Sequence, residues 1–262
     1  MFKVSVLATS SAGNCTFVGT DRTRILIDAG LSRKETFERL RSIGEDPDQL
    51  DAILVTHEHS DHVSGLGVLS RYYRKIGRAV PVFMTKLTAP LIEWVGEPPP
   101  LEHFQAGTGF SIGDLHIQSF TIPHDALDPV GYTVRSFGLK FGLAMDLGYL
   151  PESVKYHLNR CNMLVLESNH DVEMLKVGPY PWSVKQRVMG RKGHLSNDVV
   201  SEYIASNLDH ESQTLVLGHL SEHNNHPEIV RLVASQALEQ RALGTRLVVA
   251  ETKNRCEVFH LG

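Results

Sequence analysis

One stretch constrains this chain more than any other: Thr56-His57-Glu58-His59-Ser60-Asp61-His62, which follows directly on the apolar run Asp51–Thr56 (DAILVT). A short run of Ala, Ile, Leu and Val reads as a buried strand, so the polar residues after it sit at a strand end. On a helix, residues i and i+2 point in different directions. In an extended or tightly turning loop, alternate residues project to the same side. The spacing His-x-His-x-Asp-His can therefore offer His57 and His59 to one metal ion, and Asp61 and His62 to a second. Neutral imidazole and carboxylate suit Zn²⁺, Mn²⁺ or Fe²⁺. A solvated loop that merely happens to be rich in histidine is the plain alternative. The placement after a strand and before Val63-Ser64-Gly65 argues against it.

The rest of the chain reads as alternating strands and helices. Phe2–Ala8, Cys15–Gly19 and Arg24–Asp28 are expected as successive strands. Ser32–Ile43 carries Phe37, Leu40 and Ile43 on one face and is expected as a helix capped by Ser32, with Glu35 three residues on. Pro81–Met84 reads as a strand, Thr88–Val95 as a helix, and Pro98–Pro100 as an extended surface connection. From Gly109 the pattern turns β-rich, with strands at Leu115–Ile122, Val130–Ser136 and Lys140–Met145. Further strands are expected at Met163–Glu167 and Thr214–Leu217, each after a helical stretch. Leu247–Ala250 and Glu257–Leu261 look like a closing hairpin, and Asn169–Gly193 like a long irregular segment that is either functional or mobile.

Composition narrows the function classes. With 262 residues, 42% hydrophobic and 21% charged, the chain is expected to form one α/β domain spanning residues 1–262. A net charge of −4 argues against a generally basic surface, although bound metal ions would bring positive charge to the site itself. The cysteines Cys15, Cys161 and Cys256 form no CxxC pair, which excludes a disulfide framework or a zinc ribbon. No run approaches the length of a membrane span, and the N-terminus does not read as a signal peptide. A cytoplasmic protein is expected, with no membrane partner. The oligomeric state is left open, a homodimer included.

T-H-x-H-x-D-H followed by x-x-G resembles the signature of the metallo-β-lactamase superfamily. The resemblance implies a four-layer αββα sandwich with metals at one sheet edge. It also implies three further ligands, each at a strand end. His124 in T-I-P-H-D matches the remaining ligand of the first metal. Asp146 in A-M-D-L-G matches the bridging carboxylate, and His219 in V-L-G-H-L-S matches the last ligand of the second metal. The full set implied is His57, His59, Asp61, His62, His124, Asp146 and His219, holding two divalent ions. The phrases S-S-A-G-N (Ser10–Asn14), Asp28-Ala29-Gly30, L-E-S-N-H-D and G-H-L-S-N are similar to the YycJ/WalJ group of small metallohydrolases, and to phosphodiesterases of the tRNase Z type. That likeness implies a nucleic-acid substrate and a metal-bridged hydroxide as nucleophile, with Asp61 taking up its proton.

Within Gly193-His194-Leu195-Ser196-Asn197, the resemblance gives His194 the task of helping the leaving group. A competing reading has Ser196 or Asn197 capping a helix beside an exposed His194. The tRNase Z pattern also has a glutamate three residues before the bridging aspartate, where this chain has Leu143, and that departure puts a full proton shuttle in question. Glu167 is either the local carboxylate or a structural residue. Asn169, His170 and Asp171 are candidates to line the cleft, with Asn169 a substrate-binding candidate. Arg187, Arg191 and Lys192 form a basic cluster suited to phosphates or simply solvated. Tyr180 and Trp182 offer rings for stacking or for packing the loop. His223 and His226 read as surface residues. A glyoxalase II-like or lactamase-like hydrolase of a small ester, thioester or lactam shares the metal motif and is the alternative. A non-catalytic protein on the same fold predicts missing ligands, and none is missing. The stretch between Asp146 and His219 is too short for a β-CASP insert.

Overall fold

Strands that are apolar on both faces must be covered on both faces, and this chain meets that demand with four layers. The structure, a computed structural model, describes residues 1–94, 96–251 and 255–262. The strands in chain order are β1 (Phe2–Ala8), β2 (Cys15–Gly19), β3 (Arg24–Ile27), β4 (Ala52–Leu54), β5 (Val82–Thr85), β6 (Leu101–Phe104), β7 (Gly109–Ile112), β8 (Leu115–Thr121), β9 (Val130–Ser136), β10 (Leu139–Ala144), β11 (Met163–Glu167), β12 (Thr214–Gly218), β13 (Arg246–Val249) and β14 (Phe259–Leu261). Among the described residues they form two seven-stranded sheets, ordered β14-β1-β2-β3-β4-β5-β6 and β13-β12-β11-β10-β9-β8-β7. Val4, Val6, Ile25 and Leu54 of the first sheet meet Tyr132, Val134, Phe141 and Val165 of the second in a shared core.

Each outer face carries helices. On the first sheet α1 (Arg33–Ser42) and α3 (Leu66–Lys75) bury Phe37, Leu40, Leu69 and Tyr73, with the short α2 (Ser60–Val63) between them. On the second, α4 (Glu152–Leu158), α7 (Asn197–Ser206) and α8 (Pro227–Gln240) bury Val154, Leu158, Ile204 and Ala234. The expected αββα sandwich is the observed one. Ser32 caps α1 by accepting the Glu35 backbone N–H. Its own hydroxyl donates to the Glu35 carboxylate at 2.8 Å rather than leaving that carboxylate to its backbone.

Three expectations are corrected. Thr88–Val95 holds only a 3₁₀ turn, Ala89–Leu91, because no amphipathic stripe follows Pro90 to bury a longer helix; Val95 lies outside the described residues. The closing strands do not form a hairpin: β13 runs parallel to β12 in the second sheet, and β14 antiparallel to β1 in the first. Local pattern finds both strands, but pairing follows the buried faces available to each. The segment Asn169–Gly193 is not irregular throughout, since it contains α5 (Val172–Val177), capped by Asp171, and α6 (Trp182–Val188), which starts after Pro181. No described helix is long and apolar enough to cross a membrane.

Candidate metal centre

The ends of β3, β4, β10, β11 and β12 converge at one edge of the sandwich, and there the histidine-rich loop is clamped by backbone. Asp61 and His62 lend their carbonyl oxygens to the N–H groups of Asn14 (2.7 Å) and Ala29 (2.8 Å), while the Gly65 N–H donates to the Ala29 carbonyl (2.8 Å). Gly30 faces the Asp61 carbonyl so closely that a Cβ there would overlap it, which explains the glycine of the Asp28-Ala29-Gly30 turn. Asp28 and His219 follow directly on a strand and Asp146 one residue further on, with φ of 63°, 57° and 57° for Asp28, Asp146 and His219, in the left-handed region that ordinary residues rarely adopt. This backbone folds their side chains back over the sheet edge.

Potential ligand atoms gather in overlapping sets among the described residues: His57 with His59 and His124; His57 with His62 and Asp146; and Asp146 with Glu167, His194 and His219, the atoms of each set lying within 4.8 Å of one another. Asp61 Oδ2 is 3.3 Å from His62 Nε2 and 3.9 Å from His219 Nε2. All seven residues implied by the sequence therefore meet at one place, with Asp146 between the two halves. Its Oδ2 is 3.0 Å from His62 Nε2 and its Oδ1 is 3.2 Å from His219 Nδ1.

The donor set fits divalent cations. His57 Nε2, Asp146 Oδ2 and His219 Nε2 are buried without hydrogen-bond partners, and Asp146 Oδ2 lies near His62 without the geometry of a hydrogen bond. Orphaned buried polar atoms cost about 1–3 kcal/mol each, and here they point at a common centre. The opposite nitrogens are tied down, as metal-binding imidazoles require. His57 Nδ1 lies 3.0 Å from Thr56 Oγ1, His62 Nδ1 2.8 Å from Asp28 Oδ2, and His124 Nδ1 3.3 Å from the Gly193 carbonyl. Thr56 in turn donates to Asp28.

Charge is balanced unevenly across the site. Burial, with the neighbouring imidazole of His62, holds His57 well below the usual histidine range, and burial lowers His124 too. Both are thus neutral, the form that ligates. Burial works against protonation of His62 and His219 as well, but Asp28 and Asp146 outweigh it at His62, and Asp146, Asp61 and Glu167 push His219 up to about 10. Asp61 and Asp146 are driven far below the carboxylate range despite burial, by His219 and His62. The carboxylates draw positive charge to the positions that cations would otherwise supply.

Glu167 is the residue whose part the sequence left undecided. Fully buried at the end of β11, its Oε1 lies 2.7 Å from His194 Nδ1 and 2.8 Å from His219 Nδ1. Its Oε2 accepts the backbone N–H groups of Leu147 and Leu195, both at 3.1 Å. Leu143 points instead into the inter-sheet core. A carboxylate therefore does face His194, delivered by β11 rather than by β10. Burial opposes ionisation of Glu167, yet His194 and His219 bring it down to about 2; Glu167 in turn raises His194 against its own burial. Of the competing reading of Gly193–Asn197 only the cap holds: Ser196 caps α7, but His194 is not exposed, because Glu167 draws its ring inward to 3.4 Å from Asp146 Oδ1.

The remaining candidates fall at different distances from the chemistry. Asn169 turns its amide to the His219 carbonyl (2.8 Å) and so braces a ligand. Arg187 pairs with Asp125 at 2.6 Å, and Asp125 lies 3.3 Å from His124 Nε2. Arg191 lies over the Tyr149 ring at 4.4 Å, and Lys192 is exposed on the loop before His194. His170 is buried, its Nδ1 lacks a partner, and burial lowers it to about 4. Asp171 caps α5, His226 caps α8, and His223 meets Tyr180 edge-on at 5.9 Å. Trp182 is exposed. Sequence reasoning gave no role to Asn14, whose Nδ2 is 3.0 Å from both Asp61 Oδ2 and His62 Nε2. The signal was present in S-S-A-G-N, but its meaning depends on a contact between distant segments.

This fold with this ligand cluster defines a β-lactamase superfamily chain, and the chain belongs to that family: residues 23–220 match the β-lactamase superfamily domain. More particularly, it is 39% identical over 243 residues to Exodeoxyribonuclease YycJ of Bacillus anthracis, covering 92% of this chain and 90% of that protein. It is 36% identical over 248 residues to Exodeoxyribonuclease WalJ of Streptococcus pneumoniae, covering 93% and 90%. Among solved structures, the metallo-β-lactamase fold protein YhfI of Bacillus subtilis superposes with a TM-score of 0.75 over 98% of each chain, at 15% identity, a likeness of fold.

Proposed function

We propose that this chain is a metal-dependent nuclease that shortens DNA from an end. One observation carries the reading: Glu167 Oε1 holds His194 Nδ1 at 2.7 Å beside Asp146, so a proton donor is fixed at the metal-ligand cluster. A thiolate leaves without a proton, because a thiol is acidic near pH 8.5. A sugar oxygen leaving phosphorus needs one. In a thioesterase His194 would have nothing to do. The relatives named as exodeoxyribonucleases, matched over nine-tenths of both chains, support the same reading and its DNA preference.

Two divalent cations, zinc or manganese with iron also admitted, would be held by His57, His59 and His124 on one side and by Asp61, His62 and His219 on the other, with Asp146 between. When bound, they supply Lewis acidity toward a phosphoryl oxygen and a lowered pKa for water. Asp61, tied to Asn14 through one oxygen, keeps the other free to accept the nucleophile's proton. His194 donates to the departing sugar oxygen, and Glu167 holds its ring in place as it does so. Arg191 and Lys192 flank the cleft before His194 and contact phosphates on either side of the scissile bond. The three free, buried cysteines suit a reducing cytoplasm, and the core shared by both sheets suits one folding unit over the whole chain.

The test is turnover by protein reconstituted with zinc or manganese, on end-labelled single- and double-stranded DNA, RNA, bis-p-nitrophenyl phosphate and lactoylglutathione. The expected result is stepwise shortening of DNA that disappears in Asp146→Ala. Thioester turnover without any phosphodiester cleavage would overturn the reading.

A further inference from the structure

At the end of the second sheet remote from the metal ligands, Ser111, His116, Arg135 and Lys140 stand on one rung across β7, β8, β9 and β10. His116 is paired with Ser111 on one side and Arg135 on the other, and Arg135 with Lys140. Leu115, Ile117, Val134 and Phe141 belong to the core between the sheets, so by strand alternation the basic side chains face outward. Like charges directly opposite one another, as at Arg135 and Lys140, destabilise a sheet. The cavity they line, of about 600 Å³, is completed by Tyr156, His157 and Arg160 at the end of α4, and no aspartate or glutamate lines it. Arg160 is shared with Glu211 at 2.8 Å. Arg135 has no ion pair with another described residue. Lys140 is 9% exposed and donates to the Asn159 carbonyl at 2.7 Å and to the Cys161 thiol, which leaves one of its three N–H groups for a ligand. Tyr156 stands 78% exposed at the rim, and the His157 ring is stacked on Phe120 with centroids 4.9 Å apart.

A buried ammonium, an unpaired guanidinium and exposed rings, in a wall without carboxylates on a chain of net charge −4, are complementary to a phosphate-bearing chain of bases. We propose that this groove binds single-stranded nucleic acid and holds the substrate strand far from the scissile bond. The proposal rests on the nuclease reading above and adds to it a site that the metal cluster does not require. His116 and His124 are separated by roughly 25 Å of extended chain. A strand of about 4 nucleotides seated at the metals therefore does not reach the groove, whereas one of about 20 does.

The decisive experiment compares metal-loaded wild type with the double variant Arg135→Gln/Arg160→Gln, both positions being exposed. Fluorescence anisotropy measures binding of phosphorothioate strands that resist cleavage, across a salt series. For the strand of about 20 nucleotides the expected outcome is an affinity loss of about tenfold and a salt slope shallower by about 1.4. The strand of about 4 nucleotides and bis-p-nitrophenyl phosphate turnover should be unchanged. Unaltered affinity and slope for the longer strand would overturn the groove, as would a mononucleotide that competes as well as that strand, which would mark a small-anion pocket. If wild type cleaves no DNA yet loses affinity on substitution, the nuclease reading fails and the groove stands.

Discussion

Replacing Glu167 with glutamine separates proton delivery from metal binding. The carboxylate accepts four hydrogen bonds, two from imidazoles through Oε1 and two from backbone N–H groups through Oε2. A carboxamide cannot accept all four. With its NH₂ toward the backbone, two buried donors are left unsatisfied at about 2–6 kcal/mol in total. With its NH₂ toward the rings, the backbone bonds survive, but both imidazoles must switch tautomer. His219 then carries its proton on Nε2, facing the metal cluster, and His194 is no longer held in its charged form. The second arrangement is the less costly, so Glu167→Gln should fold. Its metal affinity should drop about 10–100-fold, the usual effect of losing a carboxylate behind a ligating histidine. At saturating metal, kcat on DNA should fall about 10²–10⁴-fold, the range that a positioned general acid supplies. Turnover of bis-p-nitrophenyl phosphate, whose nitrophenolate leaves without help, should fall by less than about tenfold under the same conditions. The pH profile gives a second readout. Glu167 raises His194, so wild-type activity on DNA should persist to pH above the ordinary histidine value of 6.5 and fail as pH rises through the elevated value. In the variant that limb should move to lower pH. Equal losses on both substrates at saturating metal, with an unmoved basic limb, would refute proton delivery by His194.

Four further outcomes follow from the same geometry. Asp28→Asn keeps a residue tolerant of φ 63° but turns an amide donor toward His62, so metal affinity measured by chelator competition should fall about 10–100-fold, with kcat recovered at saturating metal. Metal at about 100 times its Kd should add about 2.7 kcal/mol, raising Tm by about 5–10 °C, and EDTA should reverse this in a thermal melt. Without metal, Glu167, lowered from 4.5 to about 2, stabilises fully above pH 4.5 and loses that contribution as pH falls toward 2. His219, raised from 6.5 to about 10, stabilises fully below pH 6.5 and loses its contribution as pH rises toward 10. The stability of the metal-free protein, measured by chemical unfolding, should therefore peak between pH 4.5 and 6.5. Gly30→Ala would push a methyl group into the Asp61 carbonyl, and should destabilise the fold by more than about 3 kcal/mol while abolishing metal retention, measured by elemental analysis.

What could be read from the chain depended on how far apart the cooperating residues lie. His57 and His59 lie in the loop after β4 and Asp61 and His62 in the adjoining α2, all within six residues, so their spacing alone describes a ligand set. His124, Asp146 and His219 were legible only as strand ends in the order that a family resemblance implies. Glu167 and Asn14 were visible as residues but not as roles. Glu167 meets His194 only because β11 lies between β10 and β12 in a parallel sheet, and that order is decided by packing. The false hairpin at the C-terminus has the same origin. Two strands adjacent in sequence pair locally unless each finds a better buried edge, and β13 and β14 find theirs on opposite sheets.

The left-handed backbone at Asp28, Asp146 and His219 sets strain against charge. A side chain in that conformation costs about 1–2 kcal/mol relative to glycine, which adopts it freely. At positions 146 and 219 the buried pairs with His62 and Glu167 offset that cost even without metal, so in the presence of chelator glycine there should lower heat resistance rather than raise it. The ligands thus hold one another in the strained backbone that a cation would otherwise have to enforce, and the site keeps its shape between one metal load and the next.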